Sequence, residues 1–322
     1  MSAPLRITLV GAGSMGSLHA RVISGHDRTR LVAVVDPDER VGRLTADRYG
    51  ARWVRDLDEV PDVDAVVVAA GNGAHREVGG RVLDRGLPLL MEKPLADSLA
   101  DAEDLVRQSG RLGVPMMCGL LERYNPGVLT AMRLLEEPLH IVTQRHSPYV
   151  ARIRSGVAAD LLIHDADLAI RLMGAEPVRV QGSLGHLHPD SDPASEDVAE
   201  TLLAFGTGAV ANLSASRMSQ RKVRSLVVSE LNRLVEVDLL RNAVTLYQHV
   251  PADQTGDGTS YKAQTIVEIP QLVTSREPLA AQLDRFVALA TGTADAEVER
   301  AGILPSHRVV EAVRDAARGA TV

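Results

Sequence analysis

The chain is expected to fold as an α/β domain followed by an α+β domain, because its apolar pattern changes character once. Through about residue 121, short apolar runs at Ile7 to Val10, Leu31 to Val35, Ala65 to Ala70, Leu87 to Met91 and Pro115 to Gly119 alternate with helix-like segments. That alternation implies a parallel sheet. From Glu122 onward come a helical segment starting at Pro126, a strand near His140, a helix holding Asp160, and the runs VRVQGSL, AETLLAF, GAVANLSA and VRSLVVS. These runs are short, alternating and turn-bounded, which predicts a mostly antiparallel, open-faced sheet with helices on one face. The expected domains are residues 1–121 and 122–322, with polar loops at HPDSDPASED and PADQTGDGTSYK.

The opening segment is the most specific. LRITLV ends at Gly11, GAGSMG follows, and Met15, Leu18, Val22 and Ile23 then recur at helical spacing. In a strand, glycine turn and helix of this kind, Gly11 permits the tight turn, Gly13 lets backbone approach a pyrophosphate, and Gly16 allows close helix packing. Unpaired amides at the helix start meet the negative charge. The next strand, LVAVVD, ends at Asp36, twenty residues beyond Gly16, where a ribose-binding carboxylate is expected. This is a Rossmann dinucleotide pattern; an ordinary strand-turn-helix is the bland alternative. A carboxylate at Asp36 repels a 2′-phosphate and favours NAD, while Arg40, four residues on, keeps NADP open.

Composition narrows the remaining classes. The chain has 322 residues, 45% hydrophobic and 24% charged, enough for a large core and two domains. A net charge of −7 with 2% aromatic residues argues against a nucleic-acid surface. No run suits a membrane span and no secretory signal opens the chain, so a cytoplasmic location is expected. The single cysteine, Cys118, has no partner for an internal disulfide and reads as a buried core residue in PMMCG.

Three residues suit proton and hydride chemistry. Lys93, in MEKPL, stands directly before a proline at a strand's carboxyl end, where α/β proteins bind ligands. Asp160, His164 and Asp167 lie along one stripe if ADLLIHDADL is a regular helix. Oxidising a secondary alcohol requires a base for the hydroxyl proton, and imidazole, with an unperturbed pKa near 6.5, is suited to neutral pH. A lysine ammonium beside the same oxygen stabilises developing negative charge. Lys93 capping the sheet edge, and Asp160 with His164 as a surface helix pair, are the plain alternatives. Asp165 and Asp167 either orient His164 or are solvated. Arg145, Arg152 and Arg154 cluster ahead of Asp160, as anion-binding or ordinary surface arginines. His186 and His188 near Asp190 and Asp192 read as exposed loop rather than a metal site, and His19 as packed or hydrogen-bonded; no metal is expected.

Taken together, GAGSMG with Asp36, MEKPL, GLLERYNP and D-x-x-x-H-D-x-D resemble the Gfo/Idh/MocA family of nicotinamide-dependent sugar and cyclitol oxidoreductases. The resemblance runs over most of the chain, though the last hundred residues match only in general strand pattern. It implies cofactor contacts from Gly11, Gly13, Ser14, Met15, Gly16, Asp36, Ala70, Asn72, His75, Glu92 and Lys93. It also implies a catalytic set of Lys93, Asp160 and His164 and a usually cis Lys93–Pro94 bond. Substrate contacts are implied for Lys93, Tyr124, Asn125, Arg154, Asp160 and His164. Two departures stand out: Ala70 and Gly71 replace the family's common threonine and proline, and the glycine cluster before the aspartate is eroded to Arg154, Ser155 and Gly156. The implied activity is hydride transfer between NAD, with NADP as the other option, and a hydroxyl or ketone of a sugar, nucleotide sugar, aminoglycoside or cyclitol. ERYNP resembles the segment of the family's nucleotide-sugar 3-dehydrogenases. Two other readings stay open: a reductase of a different carbonyl or unsaturated substrate, and a nicotinamide-binding sensor without turnover, which loss of the lysine or histidine would mark. A homo-oligomer, dimer or tetramer, is expected from an exposed antiparallel face.

Overall fold

A computed structural model of the chain describes residues 3–151, 153, 155–250 and 264–319. It divides into two compact units, Met1–Leu121 with Glu277–His307, and Glu122–Arg276 with Arg308–Val322. The break at 121/122 coincides with the change of pattern in the sequence. The expected second domain differs in one respect: it is not a continuous 122–322 segment, because Glu277–His307 groups with the first unit. Apolar helix faces that bury against a distant partner carry no mark of that partner in the sequence.

In the first unit, β1 (Leu5–Val10), α1 (Ser14–Ser24), β2 (Thr29–Val35), α2 (Glu39–Tyr49), β3 (Arg52–Val54), β4 (Ala65–Val68), α3 (Asn72–Asp84), β5 (Leu89–Met91), α4 (Leu99–Leu112) and β6 (Met116–Cys118) alternate. The strands form one parallel sheet in the order β3-β2-β1-β4-β5-β6. Ile7, Leu9, Ala65, Val66, Val67 and Val68 are wholly buried, as expected of strands covered on both faces. Cys118 is buried in β6. Helices start and stop on local signals: Asp38 caps α2 through the amides of Arg40 and Val41, and Gly50 ends it in the left-handed region. The edge strand β3 has no counterpart among the sequence-based strands, because RWV is too short to show a period.

The second unit starts with α5 (Pro126–Leu134), β7 (His140–His146) and α6 (Ile163–Met173), the last preceded by a wide π-helical turn at Ala158–Leu162. Then come β8 (Arg179–Gly185), β9 (Val198–Ala204), β10 (Val210–Ser216), β11 (Val223–Ser229), β12 (Arg233–Asp238), β13 (Ala243–Val250) and β14 (Gln264–Glu268). Their sheet runs β14-β13-β12-β11-β7-β10-β9-β8, with β7 and β10 parallel and every other pair antiparallel. One phase of each central strand is buried: Ile141 and Thr143 on β7, Ala211, Leu213 and Ala215 on β10, Leu226 and Val228 on β11. The loop expected at HPDSDPASED is present between β8 and β9. The one expected at PADQTGDGTSYK lies outside the described residues.

Candidate active site

The glycine loop follows from the meeting of β1 and α1. Gly11 has a φ of 91°, and a Cβ there would stand 2.6 Å from the backbone of Ala69 and Ala70. A Cβ on Gly16 would stand 2.0 Å from the Gly11 carbonyl oxygen. Nothing lies within 4 Å of where a Gly13 Cβ would project, and Gly13 supplies no side-chain cap to α1. The first-turn amides, from the exposed Ser14 and half-buried Met15, are left to meet an anion at the positive end of the helix. Asp36 stands at the rim. Its Oδ2 accepts from the Ala12 amide at 2.8 Å and its Oδ1 from the Asp38 amide at 2.9 Å, so it fixes the loop and keeps lone pairs for ribose hydroxyls. A cavity of about 460 Å³ runs past Gly11, Gly13, Asp36, Ala70 and Gly71, within the size range of cofactor pockets. These residues fit a dinucleotide.

Lys93 leaves the carboxyl end of β5 on a braced turn. The Lys93–Pro94 peptide is cis. His75, wholly buried on α3, places Nδ1 2.8 Å from the Pro94 carbonyl oxygen and Nε2 3.1 Å from that of Ala70. Each ring nitrogen faces a backbone carbonyl, and a neutral ring donates to one of them, so His75 braces this turn. Glu92 is buried, with Oε1 2.7 Å from His19 Nε2 and Oε2 accepting the Lys93 amide at 3.3 Å. His19 is thus hydrogen-bonded, as expected. Asn72, half-buried, opens α3 behind Gly71.

In the second unit the Asp160 segment is not a regular helix. Asp160 sits in the π-helical turn, where the advance per residue is smaller than 100°, and only from Ile163 does the α-helix proceed. Glu196 anchors that turn by accepting the Ala158 amide at 2.8 Å, and its carboxylate lies about 2 Å from where a Gly156 Cβ would be. This explains the one glycine kept from the eroded cluster. Arg217, just past β10, donates to Asp160 Oδ2 at 2.6 Å and also to the Ser155 carbonyl oxygen. Asp160 and His164 are both half-buried.

Asp165 and Asp167 are not solvated. Asp167 is buried against Arg123, which donates at 2.8 and 2.6 Å. Asp165 Oδ1 accepts from Arg145 Nε at 3.0 Å and Nη2 at 2.7 Å. Burial pushes the Asp165 carboxyl up, the Arg145 charge opposing it. Arg145 also donates to Glu122 at 2.8 Å and is 2% exposed, so the anion-binding role considered for it is corrected: all its directions point to buried carboxylates. Burial raises Glu122, but Arg145, then Arg224 and Asn125, outweigh it and hold the carboxyl below its ordinary range.

Asn125 braces the chain where the second unit begins. It is buried as the N-cap of α5, its Oδ1 accepting from Gly127 at 2.9 Å and its Nδ2 donating to the Leu239 carbonyl oxygen at 3.3 Å. Tyr124, beside it, is half-buried. Arg152 and Arg154 lie outside the described residues. His188 stacks on Tyr149 with centroids 3.6 Å apart, while His186 is exposed. Arg217 was not anticipated, although a signal exists: it continues the buried phase of Ala211, Leu213 and Ala215, where a charge calls for a partner.

Residues 5–120 match the model of an oxidoreductase family with an NAD-binding Rossmann fold, and residues 136–231 match the Gfo/Idh/MocA C-terminal domain. The chain belongs to the Gfo/Idh/MocA family. Its first unit is therefore the NAD-binding Rossmann domain of an oxidoreductase. Among Gfo/Idh/MocA relatives, UDP-N-acetylglucosamine 3-dehydrogenase of Acidithiobacillus ferrooxidans is 26% identical over 286 residues, 88% of each chain. The scyllo-inositol 2-dehydrogenase (NAD(+)) of Bacillus subtilis is 25% identical, covering 94% of this chain and 96% of that protein. A solved structure of the Acidithiobacillus ferrooxidans enzyme superposes with a TM-score of 0.84 at 25% identity, covering 98% of this chain and all of that one. GenD2 from gentamicin A biosynthesis, in complex with NAD, gives 0.82 at 25% identity, covering 99% and 95%. Among the described residues no helix is long and apolar enough to cross a membrane.

Proposed function

We propose that the chain transfers a hydride between NAD and a secondary hydroxyl or ketone of a sugar, nucleotide sugar, aminoglycoside or cyclitol. The observation that carries this reading is the sorting of the polar residues on the π-helical turn and α6. Asp165 and Asp167 are buried on arginines, whereas Asp160 and His164 stay half-exposed, with Asp160 fixed by Arg217. Relatives named as dehydrogenases of inositols and of UDP-N-acetylglucosamine support the substrate class.

In this reading His164 takes the hydroxyl proton as general base. Asp160, held by Arg217, orients the histidine or a substrate hydroxyl. Lys93, on its braced turn, stabilises the negative charge that develops on the reacting oxygen. Gly11, Gly13 and Gly16 hold the pyrophosphate at the start of α1, and Asp36 receives the adenosine ribose. NAD, when bound, accepts the hydride from carbon. Tyr124 contributes to substrate contact. The test is a panel of sugars, nucleotide sugars, aminoglycosides and inositols incubated with NAD or NADP and followed by absorbance of the reduced cofactor. Turnover of a polyol supports the proposal; cofactor binding without turnover of any member favours the sensor reading.

A further inference from the structure

Three arginines occupy the buried phase at one end of the second sheet. Arg145 on β7 stands opposite Ala215 of β10 on one side and Arg224 of β11 on the other, and Arg217 follows directly beyond β10. Two of them are consumed by carboxylates: Arg217 by Asp160, Arg145 by Asp165 and Glu122. Arg224 is different. Among the described residues its side chain reaches only Glu122, at 3.3 Å, and it lines a cavity of about 210 Å³ together with Arg221, Lys222 and Arg241. The side chains of Arg221 and Lys222 make no ion pair among the described residues. Glu236 and Asp238 also line the cavity, but both are engaged, Glu236 by the Tyr247 hydroxyl at 3.3 Å and Asp238 by Arg241 at 3.3 Å and by the amides of Leu240 and Arg241. Four cations therefore line a small concavity: Arg224 is paired with Glu122 and Arg241 with Asp238, while Arg221 and Lys222 are in no ion pair among the described residues. The crowding is felt: the Arg224 charge, then burial, lowers the Lys222 ammonium, and burial, then the Arg145 charge, lowers the Arg224 guanidinium.

We propose that this cavity is a subsite for a phosphate ester carried by the substrate. Arg221 and Lys222 have no carboxylate partner among the described residues, Arg224 shares Glu122 with Arg145, and a phosphate, with multiple acceptor oxygens, suits two arginine forks and a lysine point charge. The place in the fold ties it to substrate. Arg224 pairs across the sheet with Arg145, whose partner Asp165 is next to His164 in sequence, and Arg224 feels the Asp160 charge. The inference rests on the reading of this unit as the holder of a sugar-like substrate.

The test pairs calorimetry with kinetics on the full chain, with NAD saturating so that the glycine loop is filled. Pyrophosphate should bind the native protein, and the exposed double variant Arg221→Ala/Lys222→Ala, checked for an unchanged melting temperature, should bind it at least about tenfold more weakly. In kinetics the variant should raise KM for a nucleotide diphosphate sugar by a similar factor while leaving KM for the unphosphorylated sugar and kcat unchanged. A sugar 1-phosphate affected as strongly as the nucleotide sugar identifies a single phosphate as the ligand; a smaller effect identifies the diphosphate. Equal pyrophosphate affinity for native and variant protein, or no binding to either, overturns the subsite. Because calorimetry needs no turnover, failure of the dehydrogenase reading leaves this result separately legible.

Discussion

Arg217 donates to Asp160 at 2.6 Å from a position 57 residues away, and so fixes the aspartate of the π-helical turn that leads into His164. Arg217 is 4% exposed, so its charge is kept inside the unit by this carboxylate and by the Ser155 carbonyl. The pair is a positioning device for the aspartate, and its loss should be felt one turn later.

Arg217→Met is expected to lower kcat at least about tenfold, with partial recovery in Arg217→Lys, while NAD affinity is unchanged. An uncompensated Asp160 also favours the protonated imidazole, so the acidic limb of the kcat/KM profile should move to higher pH. Steady-state kinetics across pH checks this; a limb that stays in place would show that Asp160 and His164 are not coupled.

Asp36→Ala should weaken NAD far more than NADP, as read by calorimetric titration of both cofactors. The carboxylate that receives ribose hydroxyls repels a 2′-phosphate. Because Asp36 also holds the Ala12 and Asp38 amides, some loss for NADP is expected, and the ratio of the two affinities is the diagnostic quantity. Equal losses would confine Asp36 to bracing the loop.

Asp197 is expected to govern acid stability of the loop between β8 and β9. Burial raises its carboxyl, but the His188 amide, the Ser191 hydroxyl and the Leu187 amide outweigh burial and hold it below its ordinary value of 3.8. The stabilisation is therefore complete above 3.8 and is lost as pH falls through the lowered folded value. Asp197→Asn should cost about 1–3 kcal/mol at neutral pH and flatten the acid-unfolding slope. Hydrogen exchange at Leu187 and His188 should rise in the variant; unchanged exchange would place the loop's stability elsewhere.

The parallel sheet was legible because its strands are unbroken apolar runs and its loop needs glycine at three defined places. Lys93, Asp160 and His164 stood out as chemistry-bearing residues in tight local motifs. What escaped notice depends on distant partners: Arg145 with Asp165, Arg123 with Asp167, Arg217 with Asp160, separated by 20, 44 and 57 residues. Each removes a residue from the surface that local pattern alone leaves ambiguous. The backbone contacts of Asn125 and His75 were hidden for another reason, since a motif names a residue without saying what its side chain braces. Strand phase carries a further signal: Arg145 and Arg224 fall on the buried phase of their strands and Arg217 continues that of β10, which marks each as paired or functional.

The most direct test of the catalytic account is the pH profile of kcat and kcat/KM for His164→Ala on whichever polyol the panel identifies. General-base catalysis contributes about 100- to 10,000-fold, so kcat should fall by roughly that range, the acidic limb should vanish, and NAD affinity should hold. Near-normal turnover with the limb intact would contradict the account and move the base to Lys93 or to another group.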